Sequence, residues 1–300
     1  MRMLCIFLTG GGTGGHVYPI VAVAQQLRAW AEKNGVEPDL RYFGDAGNYK
    51  SVLEGAKIKI VKIAASKMRR YFSLLNILDI LKFKLSFIQS LFKIYFFMPD
   101  VAFSKGGPGA LAVALACRFY QIPLAVHESD AIPGLTNKIS ARGAKVVDLA
   151  FLSAAQYLKT KAKVSVVGNP VREELSREIP GEQAKTSFGF NPKQPLILFL
   201  GGSQGSGRIN DFVIGNIDAL LNKYQALHQV GKEKFAEYKL QYDFVAKNLP
   251  PALAANYKFS EFFDENLNEA LSAADLVVSR AGAGAIFEIA SKGKPSILIP

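Results

Sequence analysis

This chain predicts an α/β fold built from two similar parallel-sheet domains, and three observations predict it. Strand-like apolar runs alternate with helical patterns along most of the length, as parallel strands joined by crossover helices require. Two of those runs, at 4–9 and 195–200, end in glycine clusters, so the second half opens as the first did. A length of 300 residues suits two domains.

Taken in order, strands are predicted at 4–9, 40–43, 58–63, 100–103, 123–126, 145–149 and 164–167. In the second half they fall at 195–200, 225–229, 241–245, 257–259, 275–278 and 296–299. Apolar residues at Ile20, Val21, Val23, Ala24 and Leu27 mark the first helix. The turn Gly168-Asn169-Pro170-Val171-Arg172 separates the halves, giving domains at 1–168 and 169–300. The run at 296–299 has no following element to cover the sheet, so the C-terminal end is expected to be truncated.

The first glycine cluster is Gly10-Gly11-Gly12-Thr13-Gly14-Gly15, followed by His16. Backbone amides at the start of a helix seat anionic or polar ligand groups. Gly10, Gly12 and Gly15 satisfy G-x-G-x-x-G, so a dinucleotide is one reading, with Asp45 as the acidic partner about 30 residues on rather than the usual about 20. A tight turn without a ligand is another, and a different ligand a third. A histidine inside the cluster distinguishes this loop from a plain phosphate cradle.

Apolar residues make up 49% of the chain, enough for packed cores. The net charge is +11, and residues 57–105 hold ten basic and two acidic side chains, hence +8 of that excess. Such a patch points to a partner with phosphates. Cys5 and Cys117 read as small core residues, with neither disulfide framework nor metal site. No signal-peptide pattern opens the chain, which reads as cytosolic. Residues 71–99 are rich in aromatic and aliphatic side chains interrupted by Asp79, Lys82, Lys84 and Lys93, and no uncharged run reaches the roughly 18 residues of a spanning helix. Two readings stand: a basic amphipathic surface on a membrane, or a core helix with snorkelling lysines. The loop-like group Arg69, Arg70, Tyr71 and Phe72 favours an anionic membrane surface, and no nucleic-acid motif accompanies the charge.

Six motifs in order carry a resemblance: GGGTGGH at 10–16, HESDAIPGLTNK at 127–138, GNPVR at 168–172, GGSQG at 201–205, HQVG at 228–231 and SRAGAGAIFEIA at 279–290. Together they resemble the MurG family, which adds N-acetylglucosamine to lipid I in peptidoglycan synthesis. The resemblance implies a GT-B fold, two Rossmann-like domains facing across a cleft. It places UDP-N-acetylglucosamine on the C-terminal domain and the lipid-linked acceptor on the N-terminal one. The N-terminal domain would rest on the cytoplasmic face of the cell membrane as a peripheral protein. It further implies that Thr13, Gly14 and Gly15 line the cleft, that Asp130 meets the donor sugar, and that Arg172 and Ser203 approach the donor diphosphate and uridine. Phe263 falls beside the uracil, and Ala283, Gly284, Ala285, Ile286, Phe287 and Glu288 form the donor loop, with Glu288 on the ribose hydroxyls. The family often has Asn at Asp130, and its Gly-Gly-Tyr-Val-Ser loop is Gly106-Gly107-Pro108-Gly109-Ala110 here.

The chemistry reads independently. Loss of UDP builds negative charge, and the amides of residues 279–284, opening a helix, are expected to receive it with Arg172. No Asp-x-Asp motif is present, and neither metal nor cofactor is expected. For the base that deprotonates the acceptor hydroxyl, His16 stands first and Glu128 second, with helix capping as the alternative role of His16. His127 and His228 read as structural. Inversion by single displacement is expected. A UDP-sugar transferase for another lipid acceptor, an NAD(P)-dependent oxidoreductase and a non-catalytic nucleotide-sugar binder are the competing readings.

Overall fold

A computed structural model describes residues 2–64, 75–202 and 204–300. The chain divides into two units, Met1–Arg172 and Glu173–Pro300. In the first, elements run β1 (Arg2–Thr9), α1 (Gly14–Lys33), β2 (Val36–Phe43), α2 (Lys50–Gly55), β3 (Lys59–Val61), α3 (Leu75–Phe97), β4 (Val101–Ser104), α4 (Ala110–Phe119), β5 (Leu124–Glu128), α5 (Leu135–Ser140), β6 (Val146–Leu149) and β7 (Lys163–Val166). The seven strands lie in the order β3-β2-β1-β4-β5-β6-β7, all parallel. Strand order reverses between β1 and β4, and their carboxyl ends open the crevice where sheets of this kind bind ligands.

The β1 residues Ile6, Phe7 and Leu8 are buried because both sheet faces are covered. On one face Ile6 and Leu8 pack with Val17, Ile20 and Ala24 of α1. On the other Phe7 packs with Val113 and Cys117 of α4 and with Ile94 of α3. Helix α3 is two-faced. Ile94 is buried, and Phe87 and Leu91 pack against the same core. Leu78, Leu81, Leu85, Ile88, Phe92 and Tyr95, spaced alternately three and four apart, are all at least 50% exposed. Among the described residues no helix is long and apolar enough to cross a membrane.

The second unit contains α6 (Gly181–Ser187), β8 (Leu196–Leu200), α7 (Gly207–Gly215), α8 (Ile217–Leu221), β9 (Gln225–Gln229), α9 (Phe235–Ala246), α10 (Pro251–Ala254), β10 (Tyr257–Ser260), α11 (Leu267–Ala273), β11 (Leu276–Arg280), α12 (Ala283–Ser291) and β12 (Ser296–Ile299). Its parallel strands are ordered β10-β9-β8-β11-β12, with the reversal between β8 and β11. Every residue of β8 and β9 is buried. The strand expected at 241–245 is instead part of α9. Leu240, Tyr242 and Phe244 alternate as in a strand, yet the helical spacing prevails. Tyr238, Tyr242 and Val245 pack into the core while Leu240 and Phe244 face outward.

Candidate active site

In the first unit the loop after β1 is shorter than its glycines suggest. Gly14 and Gly15 already belong to α1, so His16 is the third residue of a helix. Its imidazole is half-buried, and Nδ1 lies 2.8 Å from Thr13 Oγ1. The ring sits between two backbones. A Cβ on Gly11 would fall 2.9 Å from Nδ1, and one on Gly107 would fall 2.7 Å from Nε2. Gly107 also has φ of 87°, which disfavours a side chain. The loop that departs from the family pattern thus keeps the glycine that makes room for His16. Burial holds the imidazole pKa below its ordinary value, Lys105 lowers it further, and Asp130 opposes both.

Glu128 ends β5 and is buried. Its carboxylate accepts from the Asp130 N–H at 2.9 Å, the Gly134 N–H at 3.1 Å and Asn137 Nδ2 at 2.9 Å. Three bonds commit it to shaping the 129–137 turn, which leaves Asp130 exposed. His127 is held equally firmly. Lys105 Nζ donates to its Nδ1 at 2.9 Å, so the ring proton is on Nε2, which donates to the Gly168 carbonyl at 2.8 Å. Burial and the Lys105 charge push its pKa down to about 4. Arg172 stacks its guanidinium 4.3 Å from the ring centroid of Tyr18 on α1, at the end of the same unit.

Lys105 lies at the end of the stretch counted as a basic surface, but it is only 2% exposed. It therefore does not belong to a patch for a phosphate-bearing partner. Burial pulls its pKa down to about 8 while Glu128 and Asp130 hold it up. Sequence reasoning missed it as a site residue. The available signal was its place directly after a short apolar strand and before two glycines.

In the second unit two loops lock together by backbone. A Cβ on Gly205 would stand 2.1 Å from the Val230 carbonyl oxygen, and one on Gly231 2.4 Å from Gly205. Both have positive φ, 78° and 93°. Gln229 joins these loops to a third, donating to the Gly202 carbonyl at 2.9 Å and accepting from the Phe263 N–H at 2.9 Å. Phe263 itself is buried, its ring edge-on to Phe188. His228 is fully buried in a hydrogen-bonded chain. The Asn210 amide donates to the Val230 carbonyl, so its oxygen accepts from His228 Nε2 at 3.1 Å. Nδ1 then accepts from the Tyr257 hydroxyl at 2.9 Å, which accepts from Tyr238 at 2.5 Å. Burial holds the His228 pKa near 3.

The helix α12 begins later than the glycines suggest. The Ala281 N–H bonds to Ile299 and the Gly282 N–H to Arg280, so the amides without an intrahelical role are those of Ala283, Gly284 and Ala285. Ile286 and Phe287 follow, and Glu288 is the sixth helical residue; all are half-buried. Ser203 and the group Arg69, Arg70, Tyr71 and Phe72 lie outside the described residues.

Residues 6–148 match the glycosyltransferase family 28 N-terminal domain, and residues 196–300 match the C-terminal domain of that family. A UDP-N-acetylglucosamine--N-acetylmuramyl-(pentapeptide) pyrophosphoryl-undecaprenol N-acetylglucosamine transferase of Legionella pneumophila is 36% identical over 298 residues, covering 98% of this chain and 76% of that protein. The chain belongs to the MurG family. A second family member bearing the same transferase name, from Treponema denticola, is 33% identical over 99% of this chain and 77% of its own length. The crystal structure of Acinetobacter baumannii MurG is 24% identical and superposes with a TM-score of 0.68, covering 99% of this chain and 79% of that one. Each unit has the Rossmann-like fold of MurG and the other GT-B glycosyltransferases.

Proposed function

We propose that this chain transfers N-acetylglucosamine from UDP-N-acetylglucosamine to the 4-hydroxyl of the N-acetylmuramyl group of lipid I, giving lipid II. The 36% identity over 98% of the chain to a relative named for this reaction carries the reading. The environment of His16 supports it. An imidazole biased toward its neutral form suits a general base at neutral pH. In the tautomer whose Nδ1–H donates to the Thr13 hydroxyl, Nε2 is the atom that takes the acceptor's proton. The acceptor oxygen then forms a bond to the anomeric carbon as the bond from that carbon to the diphosphate oxygen breaks, and the configuration inverts.

UDP leaves with the charge. The first-turn amides at Ala283, Gly284 and Ala285 would receive it, with Glu288 on the ribose hydroxyls and Arg172 adding positive charge. Thr13, Gly14, Gly15, Asp130, Ser203 and Phe263 complete the proposed donor set. Glu128 serves by shaping the turn that carries Asp130. The exposed apolar stripe of α3, with Lys82, Lys84 and Lys93 on the same helix, suits the cytoplasmic surface of an anionic membrane, where the lipid acceptor is found.

The test is to incubate the protein with UDP-N-acetylglucosamine and a lipid I analogue and to weigh the acceptor by mass spectrometry. A gain of one N-acetylhexosamine is expected. No gain, with an active transferase working in parallel, overturns the acceptor assignment.

A further inference from the structure

A buried ammonium is costly unless its donors are all used. Lys105 has three N–H groups and three side-chain acceptors: His127 Nδ1 at 2.9 Å, Asn169 Oδ1 at 3.1 Å, and Ser129 Oγ. They come from three places in the chain, namely β5, the turn after it and the segment after β7. The far nitrogen of His127 holds Gly168, so the tie extends into the segment that leads to Arg172. The backbone N–H of Lys105 donates to the Thr9 carbonyl at 2.8 Å, next to the first glycine loop. The side chain therefore gathers the HESD and GNPVR motifs, and the backbone of the same residue ties them to the strand end that precedes GGGTGGH.

The Thr13 hydroxyl and the backbones of Gly11 and Gly107 face His16. A Cβ on Gly10 would lie 3.3 Å from the His16 Cβ and 3.5 Å from the Lys105 Cβ, so both side chains spring from beside that glycine. Lys105 and Asp130 are the charges that act on the imidazole. The ammonium opposes protonation of the imidazole and the carboxylate favours it. We propose that Lys105 is a positioning residue for the transfer, tying the Ser129–Asp130 turn and the Gly168–Arg172 segment to the strand end that sets Gly107 against His16, and placing a positive charge beside the imidazole. The link to the reaction rests on His16 acting as the base; the coupling of Lys105 to His16 does not.

The protein has three histidines, so His16 can be followed by NMR of histidine-labelled protein and assigned with His16→Gln. Lys105→Met keeps the bulk and removes the charge. It should raise the His16 titration midpoint and move the acid limb of kcat/KM upward by the same amount. Lys105→Arg keeps the charge and should leave the midpoint in place while lowering kcat, because the larger planar group cannot reproduce the three-acceptor geometry. Should Lys105→Met fail to fold, Asn169→Asp is the same size and sets a countercharge 3.1 Å from Nζ. It should shift the midpoint in the same direction. A midpoint unmoved in the folded variant overturns the proposal. A midpoint that rises while the acid limb stays put overturns His16 as the base and confirms its coupling to Lys105.

Discussion

The two glycine loops occupy equivalent positions, each after the strand beside which the order reverses, yet they are built for different work. After β1, the loop leaves a slot between Gly11 and Gly107, and an imidazole fills it. After β8, Gly205 meets Gly231 backbone to backbone. The difference comes from the neighbouring strand ends. β4 is followed by a buried ammonium and two glycines, Lys105-Gly106-Gly107. β9 ends in Gln229, which crosslinks three loops, and is followed by Gly231, which closes the contact. The same strand–glycine–helix pattern thus yields a titratable centre in one unit and a rigid backbone frame in the other. The titratable loop should tolerate changes in stability and fail in chemistry, and the frame should do the reverse.

The largest expected effect is on turnover. His16→Ala should lower kcat by roughly 100-fold or more, the usual scale for loss of a general base, while UDP-N-acetylglucosamine affinity measured by calorimetry stays close to wild type. Unchanged turnover would remove the chemical half of the contrast. In the frame, Gly231→Ala forces a Cβ into Gly205 at positive φ and should cost at least about 2 kcal/mol in denaturant unfolding. Gly15→Ala is its counterpart. Nothing lies within 4 Å of a Cβ there, and the residue is helical, so stability should hold or rise by less than about 1 kcal/mol. Equal losses in the two variants would erase the distinction.

The buried histidines give a middle-sized effect. His127 and His228 have folded values of about 4 and about 3, against about 6.5 in the unfolded chain. Between those values the unfolded chain binds protons that the folded one does not. Their stabilisation is therefore complete above about pH 6.5 and is lost as pH falls, with a slope of up to about 1.4 kcal/mol per pH unit for each histidine. His228→Gln should flatten part of that slope while costing roughly 1–3 kcal/mol at pH 7, since Tyr257 and Asn210 lose their partner. Unfolding curves at pH 7 and pH 5 measure both. A slope identical to wild type would mean that His228 takes up its proton without unfolding the chain.

Much of this arrangement was legible in the sequence because it rests on local signals. Apolar runs of strand length ending in glycines located the central strands β1 and β8. What escaped depends on contacts between distant segments. Lys105 looked like one more surface cation because charge counting does not register three acceptors 22, 24 and 64 residues away. Gln229 stands in the HQVG motif, yet its hold on Gly202 and Phe263 joins segments that the motif does not contain. The 241–245 error has a different origin, since alternating apolar residues are compatible with both periods and only the packing of Tyr238, Tyr242 and Val245 decides between them.

The smallest expected change in stability belongs to the α3 stripe, where the same logic separates folding from location. Phe87, Leu91 and Ile94 bind the helix to its core, so substitutions there should behave as core mutations. Leu85 and Phe92 touch solvent, at 50% and 64% exposure, and Leu85→Ser with Phe92→Ser should shift unfolding by less than about 1 kcal/mol. Co-sedimentation with vesicles containing anionic lipid should nevertheless fall sharply, because insertion depends on the apolar area the stripe offers and the lysines alone supply only a salt-sensitive attraction. Binding that survives the double substitution but disappears in high salt would assign the attachment to charge and leave the stripe for another partner. Binding lost in the double variant at low salt, with turnover on a water-soluble acceptor intact, would make α3 the element that brings the His16 loop to a lipid-borne hydroxyl.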